Sequence, residues 1–578
     1  MLYPKLSRTR TKTSLCGVWD WAVERDAAGA YTHGFAAQKR VPVPASYNDL
    51  FTEDELRNCM GPVWYATRFP TVADWQGRRV MLRFDAVTYR ATVFLNGVEL
   101  GGHEGGYTPF EFEITPHLCA GDENLLAVRV DQQLSAETVP QGNLAAVAVA
   151  GQIAGQHPDV AFDFFPYSGI HRPVTIYTTA PEGYLETLRL ETKIDGANGV
   201  VAFCGECRGA QAVTLRVAVT ETGATCDVPI SEGAFRGTLR IPDVKLWGPG
   251  APHLYHLKCQ VLANAGEMLD EYRQRFGVRE IRVTQDQFLI NGQPFHFQGF
   301  GKHEDFPVIG KGLCEAVTIR DFELMRWLNA NSFRTTHYPY AEETLDLADE
   351  YGFVVISETP AVGINFEHAT ATTLAKHLQA LEELIARDRN HPSVVMWSVS
   401  NEPTSADPKA RPYFQKIAAR ARALDPTRPI TLVSCFWWDD QAMEYFDVCS
   451  LNTYPGWYTL AGRLAQAEEK MRAALTCCRE KYGKPVLVAE FGADTLAGCH
   501  GLPSELWTEE YQKELILRLI DVMRACDFCI GEHIWNFADF KTAQHHLRAF
   551  GNRKGVFTRD RQPKLVAHFL KEKWAPNR

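Results

Sequence analysis

The chain has 578 residues, 45% of them hydrophobic and 22% charged, with a formal net charge of −10. That composition excludes a disordered chain or a coiled coil, and the length predicts two to four domains. No basic block is present, so a phosphate-tracking nucleic-acid binder is excluded as well.

The start, Met1-Leu2-Tyr3-Pro4-Lys5, leads into polar and basic residues rather than an apolar signal core. The Ala/Val-rich run 144–150 is too short to span a bilayer, so no membrane partner is expected. Fifteen cysteines, an odd number at irregular spacing, suit a reducing compartment. A soluble cytoplasmic protein, or a mature form whose leader was removed, is the expectation. Cys204/Cys207 and Cys526/Cys529 form two CxxC pairs over 300 positions apart without a His pattern, so buried free thiols are favoured over zinc.

Up to about residue 280 the pattern is all-β. Short apolar runs at 80–84, 91–95, 125–130 and 174–177 alternate with turn residues. Asn96-Gly97 between two such runs predicts a tight hairpin. A break near Ala180-Pro181-Glu182-Gly183 opens a second series, including 213–220 and 254–261. The first block, 1–180, suits a jelly-roll sandwich, and the second, 181–280, has the length of an immunoglobulin-like sandwich.

Beyond Gly277 strand-like runs alternate with helical ones. Eight strands are predicted at 295–300, 332–337, 353–358, 394–401, 430–436, 448–454, 486–491 and 533–537. Amphipathic segments such as 374–389, 412–423 and 464–481 lie between most of them. Eight strand-then-helix units predict a (β/α)8 barrel over 281–578. A doubly wound sheet is the alternative, but Gly299-Phe300-Gly301 lacks the third glycine of a dinucleotide turn.

Active sites of such barrels lie at the C-terminal strand ends. Strand four runs into Asn401-Glu402 and strand seven ends on Glu490, each an apolar run that stops on a carboxylate. Two carboxylates across one pocket can cleave an acetal; their separation decides between retention and inversion, and sequence does not measure it.

The segment Asn390-His391-Pro392-Ser393 through Trp397-Ser398-Val399-Ser400-Asn401-Glu402-Pro403, with the three-domain order, resembles glycoside hydrolase family two. Within that family the chain looks most like the β-glucuronidases, through Gly551-Asn552-Arg553-Lys554-Gly555, which is similar to that group's Asn-x-Lys motif. The resemblance implies an exo-acting, retaining hydrolase of β-D-glucuronides, with Glu402 as acid/base and Glu490 as nucleophile. It implies that Asn552 and Lys554 grip the sugar carboxylate, a task that calls for a cation and a neutral donor. It gives Asn401 a sugar hydroxyl, Tyr454 a hydrogen bond to the nucleophile, Asp163 a distal hydroxyl and Trp535 the floor under the sugar. Tyr458 flanks strand six and Arg548 precedes the Asn-x-Lys turn, where it could support the carboxylate. His303 and His337 close strands one and two and are expected as hydrogen-bonding pocket residues rather than metal ligands. No cofactor is implied; a homo-oligomer, tetramer or dimer, is.

After strand three, Val362-Gly363-Ile364-Asn365-Phe366-Glu367-His368 runs quickly into a helix, so the long pocket-covering loop of many gut-bacterial relatives is expected to be missing. Two alternatives stay open. A β-galacturonidase or dual uronidase would use the same carboxylate grip, because the sugars differ only at C4. A non-catalytic carbohydrate-binding protein on a hydrolase scaffold is disfavoured by the intact Glu402 and Glu490.

Overall fold

The computed structural model describes residues 1–119, 123–142, 157–158, 160 and 162–576. The run 144–150 lies outside them.

The N-terminal block is a two-sheet sandwich. A four-stranded sheet is ordered Lys12–Ser14, Val174–Thr179, Arg79–Phe84, Phe110–Glu113. It faces a six-stranded sheet ordered Lys39–Val43, Gly17–Val23, Val63–Pro70, Glu123–Asp131, Arg90–Leu95, Val98–Glu104. Side chains alternate across each strand with a period of two, so one face can be apolar. Arg90–Leu95 follows this rule and buries Ala91, Val93 and Leu95. Those residues join Trp19, Trp21, Val128, Leu82, Phe84 and Ile176 in the sandwich core. The predicted hairpin is present: Asn96 and Gly97 both adopt positive φ (52° and 82°), the combination a two-residue type I′ turn requires.

The second block stacks a three-stranded sheet, Tyr184–Asp195, Asn198–Arg208 and Ala234–Ile241, on a four-stranded one. The latter is ordered Thr225–Pro229, Thr214–Val219, Tyr255–Leu262, Met268–Phe276. Seven antiparallel strands in two layers make the immunoglobulin-like sandwich.

The third block is a closed barrel of eight parallel strands: Phe297–Lys302, Ser332–Thr335, Val354–Glu358, Val394–Asn401, Ile430–Ser434, Val448–Asn452, Val486–Glu490 and Cys529–Ile534. Strands two, five and six end two residues earlier than predicted, and strands one and eight shift. Residues Gln293–Phe295 belong to a small antiparallel sheet with Ile281–Val283 and Phe288–Ile290, so barrel strand one starts at Phe297. Phe288, Ile290 and Phe297 pack with Ile356, Val395, Val448 and Leu487, and so plug the N-terminal end of the barrel. Strand eight pairs with its neighbours over Cys529–Ile534, which places Trp535 just beyond it. The connection from strand five to strand six also departs from the repeat: it holds a single 3-10 turn, Met443–Tyr445, instead of an α-helix.

The expected helices surround the barrel at Ala371–Asp388, Ala410–Leu424 and Leu464–Tyr482, among others. Ala371–Asp388 begins at a capping box between Thr370 and Thr373 and buries His377, Leu381, Leu384 and Ile385 at helical spacing. Before it, the chain hugs strand four: Gly363 donates to the Asn401 carbonyl (2.8 Å), and Thr404 donates to the Ile364 carbonyl (2.8 Å). This segment carries no long covering loop. None of the fifteen cysteines is in a disulfide. No helix among the described residues is long and apolar enough to cross a membrane.

Candidate active site

Strand four is buried from end to end, and Glu402 follows its last residue with φ +46°, a left-handed conformation costly for a side-chain-bearing residue. Strand seven delivers the buried Glu490 to the same barrel mouth. Arg334, on strand two, reaches Glu490 and Asn401, the neighbour of Glu402, and is fully buried. Its guanidinium donates to Glu490 Oε1 (2.6 Å), Glu358 Oε2 (2.7 Å) and Asn401 Oδ1 (3.2 Å). The other Glu490 oxygen accepts from the Tyr454 hydroxyl at 2.6 Å. Burial and the Glu490 charge push the Tyr454 pKa well above the usual tyrosine range, so the phenol stays protonated and donates.

Glu402 is held by Asn452, whose amide donates to its Oε1 (2.8 Å) and to Asn401 Oδ1 (3.2 Å). The Asn401 amide nitrogen makes no side-chain hydrogen bond among the described residues, which leaves a donor for a ligand. Loss of hydration and then the nearby Glu490 charge raise the Glu402 pKa from its ordinary value to about 7. The raised pKa lets Glu402 hold a proton near neutral pH while Arg334 and Tyr454 hold Glu490, which suits the pair to acid and base work.

The aromatic floor comes from three chain regions. Trp535 stacks on His337 (centroids 5.1 Å apart, planes at 18°) and meets His303 and Phe540 edge-on. His337 Nδ1 bonds to Glu358 Oε1 at 2.8 Å, while His303 Nδ1 bonds to the Tyr338 hydroxyl at 3.0 Å. Burial, reinforced by His337, drives the His303 pKa well below the usual histidine range, so it is neutral. Its Nε2 is buried without a partner.

The sandwich reaches this mouth through Phe162 and Phe164, which belong to the barrel's own core cluster. Phe164 packs on His303 and His337, and the intervening Asp163 is thereby held at the pocket edge. Asp163 accepts a forked pair from Arg548 (2.7 and 3.0 Å) and a bond from Asn552 (2.7 Å). Lys554 is fully buried, ion-paired with Asp494, and donates to the Tyr458 hydroxyl at 3.0 Å. Arg548 donates to the same hydroxyl at 2.9 Å. The Tyr458 ring meets Tyr454 at 5.1 Å, so the cationic group adjoins the Glu490 site.

All twelve predicted site residues converge on one face of the barrel. Arg334, Glu358, Asn452 and Asp494 were not among them. The rule that singled out Glu402 and Glu490, an apolar strand that stops on a carboxylate, also describes Val354–Glu358. Arg334 has its own signal, a charge inside a four-residue strand that is otherwise Ser, Phe and Thr.

The family model described as "Glycosyl hydrolases family 2, TIM barrel domain" matches residues 281–577. Those for the sugar binding domain and for "Glycosyl hydrolases family 2" match 14–180 and 174–279. The chain is 42% identical to the β-glucuronidase of Paenibacillus borealis over 590 residues, covering 99% of this chain and 98% of that protein. The structure of the Dictyoglomus thermophilum β-D-glucuronidase is similar, with TM-score 0.91 and 42% identity, covering 100% of this chain and 99% of the other. The Bifidobacterium dentium β-glucuronidase complexed with coumarin-3-O-glucuronide gives TM-score 0.94 and 39% identity, with 99% and 98% coverage. The chain is thus a glycoside hydrolase, and it belongs to the glycosyl hydrolases of family 2, in the group that includes these β-glucuronidases.

Proposed function

We propose that this protein is an exo-acting, retaining β-glucuronidase that releases D-glucuronic acid through a covalent glycosyl-enzyme. The observation that carries the substrate assignment is the buried Lys554, joined with Arg548 at the Tyr458 hydroxyl, beside the Glu490 site. Both cations already have carboxylate partners, Asp494 and Asp163, but a C6 carboxylate gives a use for two cations at one pocket wall and a neutral sugar gives none. The similarity to β-glucuronidases, one bound to a glucuronide, supports the same reading.

Glu490 is assigned as nucleophile. Arg334 and Tyr454 hold both its oxygens and keep it aimed. Glu402 is assigned as the acid that protonates the leaving oxygen, consistent with a pKa of about 7. When Glu490 becomes an ester its charge disappears. One of the causes that raise the Glu402 pKa is then removed, so Glu402, having given up its proton, stays ionised and can take the proton of the attacking water. Asn401 is assigned to the sugar hydroxyl beside the anomeric carbon, Asp163 to a distal hydroxyl, and Trp535 with His303 and His337 to the floor. Asn552, Lys554 and Arg548, with Tyr458, bind the carboxylate. In this reading 281–578 is the catalytic domain, and the 1–180 sandwich contributes Asp163.

Turnover of p-nitrophenyl β-D-glucuronide beside the β-galacturonide, β-glucoside and β-galactoside tests the assignment. Glucuronide is expected to lead, with β-glucuronic acid as the first-formed anomer by NMR. Preference for the galacturonide supports the uronidase alternative. A first-formed α anomer removes the retaining mechanism, and equal rates on the neutral sugars remove the uronate site.

A further inference from the structure

A cavity of about 500 Å³ lies between the immunoglobulin-like sandwich and the barrel, lined by Thr192, Lys193, Arg279, Arg389 and Arg428 among others. It sits at the entry to strand four. Arg279 and Arg428 both donate to the carbonyl of Val394, the first residue of that strand (2.6 Å each). Glu402 is at the other end, roughly 25 Å away for a strand of this length.

Three guanidiniums here are each more than nine-tenths buried: Arg279, Arg389 and Arg428. One fully buried carboxylate, Asp425, answers them, and it is spent on Arg428 at 2.8 Å. Arg279 has no carboxylate partner among the described residues; its donors reach only the carbonyls of Pro392 (2.5 Å) and Val394. Arg389 donates to the Leu424 carbonyl (3.0 Å), leaves its Nε without any partner, and faces the half-exposed Glu191 at 3.5 Å. Lys193 stands exposed at the rim. Burying Arg279 without a counter-charge is costly, and burial, with repulsion from Arg428 contributing, pulls its pKa well below the usual arginine range.

We propose that this cavity is a binding site for a small oxyanion of the phosphate class, distinct from the barrel mouth. A dianion supplies the negative charge that Arg279 lacks, and its oxygens accept from Arg279 and, in competition with Glu191, from Arg389. Guanidinium donors at fixed positions suit tetrahedral oxyanions.

Isothermal titration calorimetry of the full chain with inorganic phosphate, at constant ionic strength against chloride, tests this. Saturable binding is expected at a Kd of about 1 mM or tighter. Arg389→Gln is expected to weaken it by roughly 10- to 100-fold, the value of a hydrogen bond to a charged group. Glu191→Gln changes a half-exposed side chain and keeps the fold; removal of its competing charge is expected to tighten binding by about 2- to 5-fold. Asn552→Ala is expected to leave binding unchanged. Absence of saturable heat in the wild type overturns the proposal. So does an affinity that Glu191→Gln leaves unchanged or weakens, or one that Asn552→Ala abolishes.

Discussion

Lys554 and Asp494 form an ion pair from which water is excluded on both sides, with side-chain exposures of 0% and 1%. The Tyr458 hydroxyl is a further acceptor for the ammonium. The proposed substrate carboxylate therefore meets a cation that already has a counter-ion. Truncation of this lysine has two separable effects. Lys554→Ala is expected to lose glucuronide turnover and also to destabilise the fold by about 3–5 kcal/mol, because Asp494 is left buried with no cation nearer than Arg548 at 3.9 Å. Denaturant melts check the second effect. Lys554→Ala combined with Asp494→Asn is expected to recover much of the stability and none of the glucuronidase activity. Recovery of activity in the double variant would show that the ammonium does not bind substrate.

Asn552→Ala isolates recognition more cleanly, because it removes no buried charge. It loses a donor to Asp163 and the acceptor of the Lys554 backbone amide. A drop in kcat/KM of roughly 10- to 100-fold on the glucuronide is expected, from the value of hydrogen bonds to charged groups. The slow rate on the corresponding glucoside should hardly change. Parallel losses on both sugars would make the turn a structural element only.

The pKa of about 7 at Glu402 sets a pH dependence with a definite sign. An acid must be protonated to act, so kcat/KM should fall as pH rises through about 7. The stability linkage has the same direction. The native state holds a proton that the unfolded chain has released, between the ordinary value of 4.5 and about 7, so this group's contribution is complete below that window and is lost as pH rises through it. Glu402→Gln should abolish the alkaline limb measured on a substrate with a good leaving group. Persistence of that limb assigns it to another group.

Glu402→Ala should slow poor leaving groups far more than activated aryl ones, by up to roughly 10²–10⁴-fold, since a good leaving group scarcely needs protonation. Glu490→Ala should abolish turnover, with azide restoring some activity as the α-glycosyl azide. Arg334 keeps Glu358 as a partner in that variant, so its fold should persist. A β-configured azide product from Glu490→Ala would exclude the nucleophile role.

Tyr454→Phe removes one hydrogen bond to Glu490 without leaving a charge unpaired, because Arg334 still holds the carboxylate. A fall in kcat of about 10- to 100-fold with little change in thermal stability is expected. An unchanged kcat would make the contact incidental.

Strand periodicity, the Asn-Gly turn and the shift from period two to alternating strands and helices were enough to read two sandwiches and a barrel. They also located Glu402 and Glu490, because each ends an apolar run where a charge is conspicuous. Local patterns reach only a few residues along the chain, and that is where their information ends. The Asp163–Arg548 fork spans 385 positions and the Lys554–Asp494 pair spans 60. Arg334 lies 156 positions from Glu490. Nothing in the periodicity of 332–335 or 486–490 specifies that pairing. Closure of the barrel does, by pairing strand eight with strand one and so bringing the side chains of strands two and seven within hydrogen-bond reach. The polar contents of the site follow from that geometry: each group carried in by a strand end finds its counter-charge or hydrogen-bond partner among residues that only the fold makes neighbours.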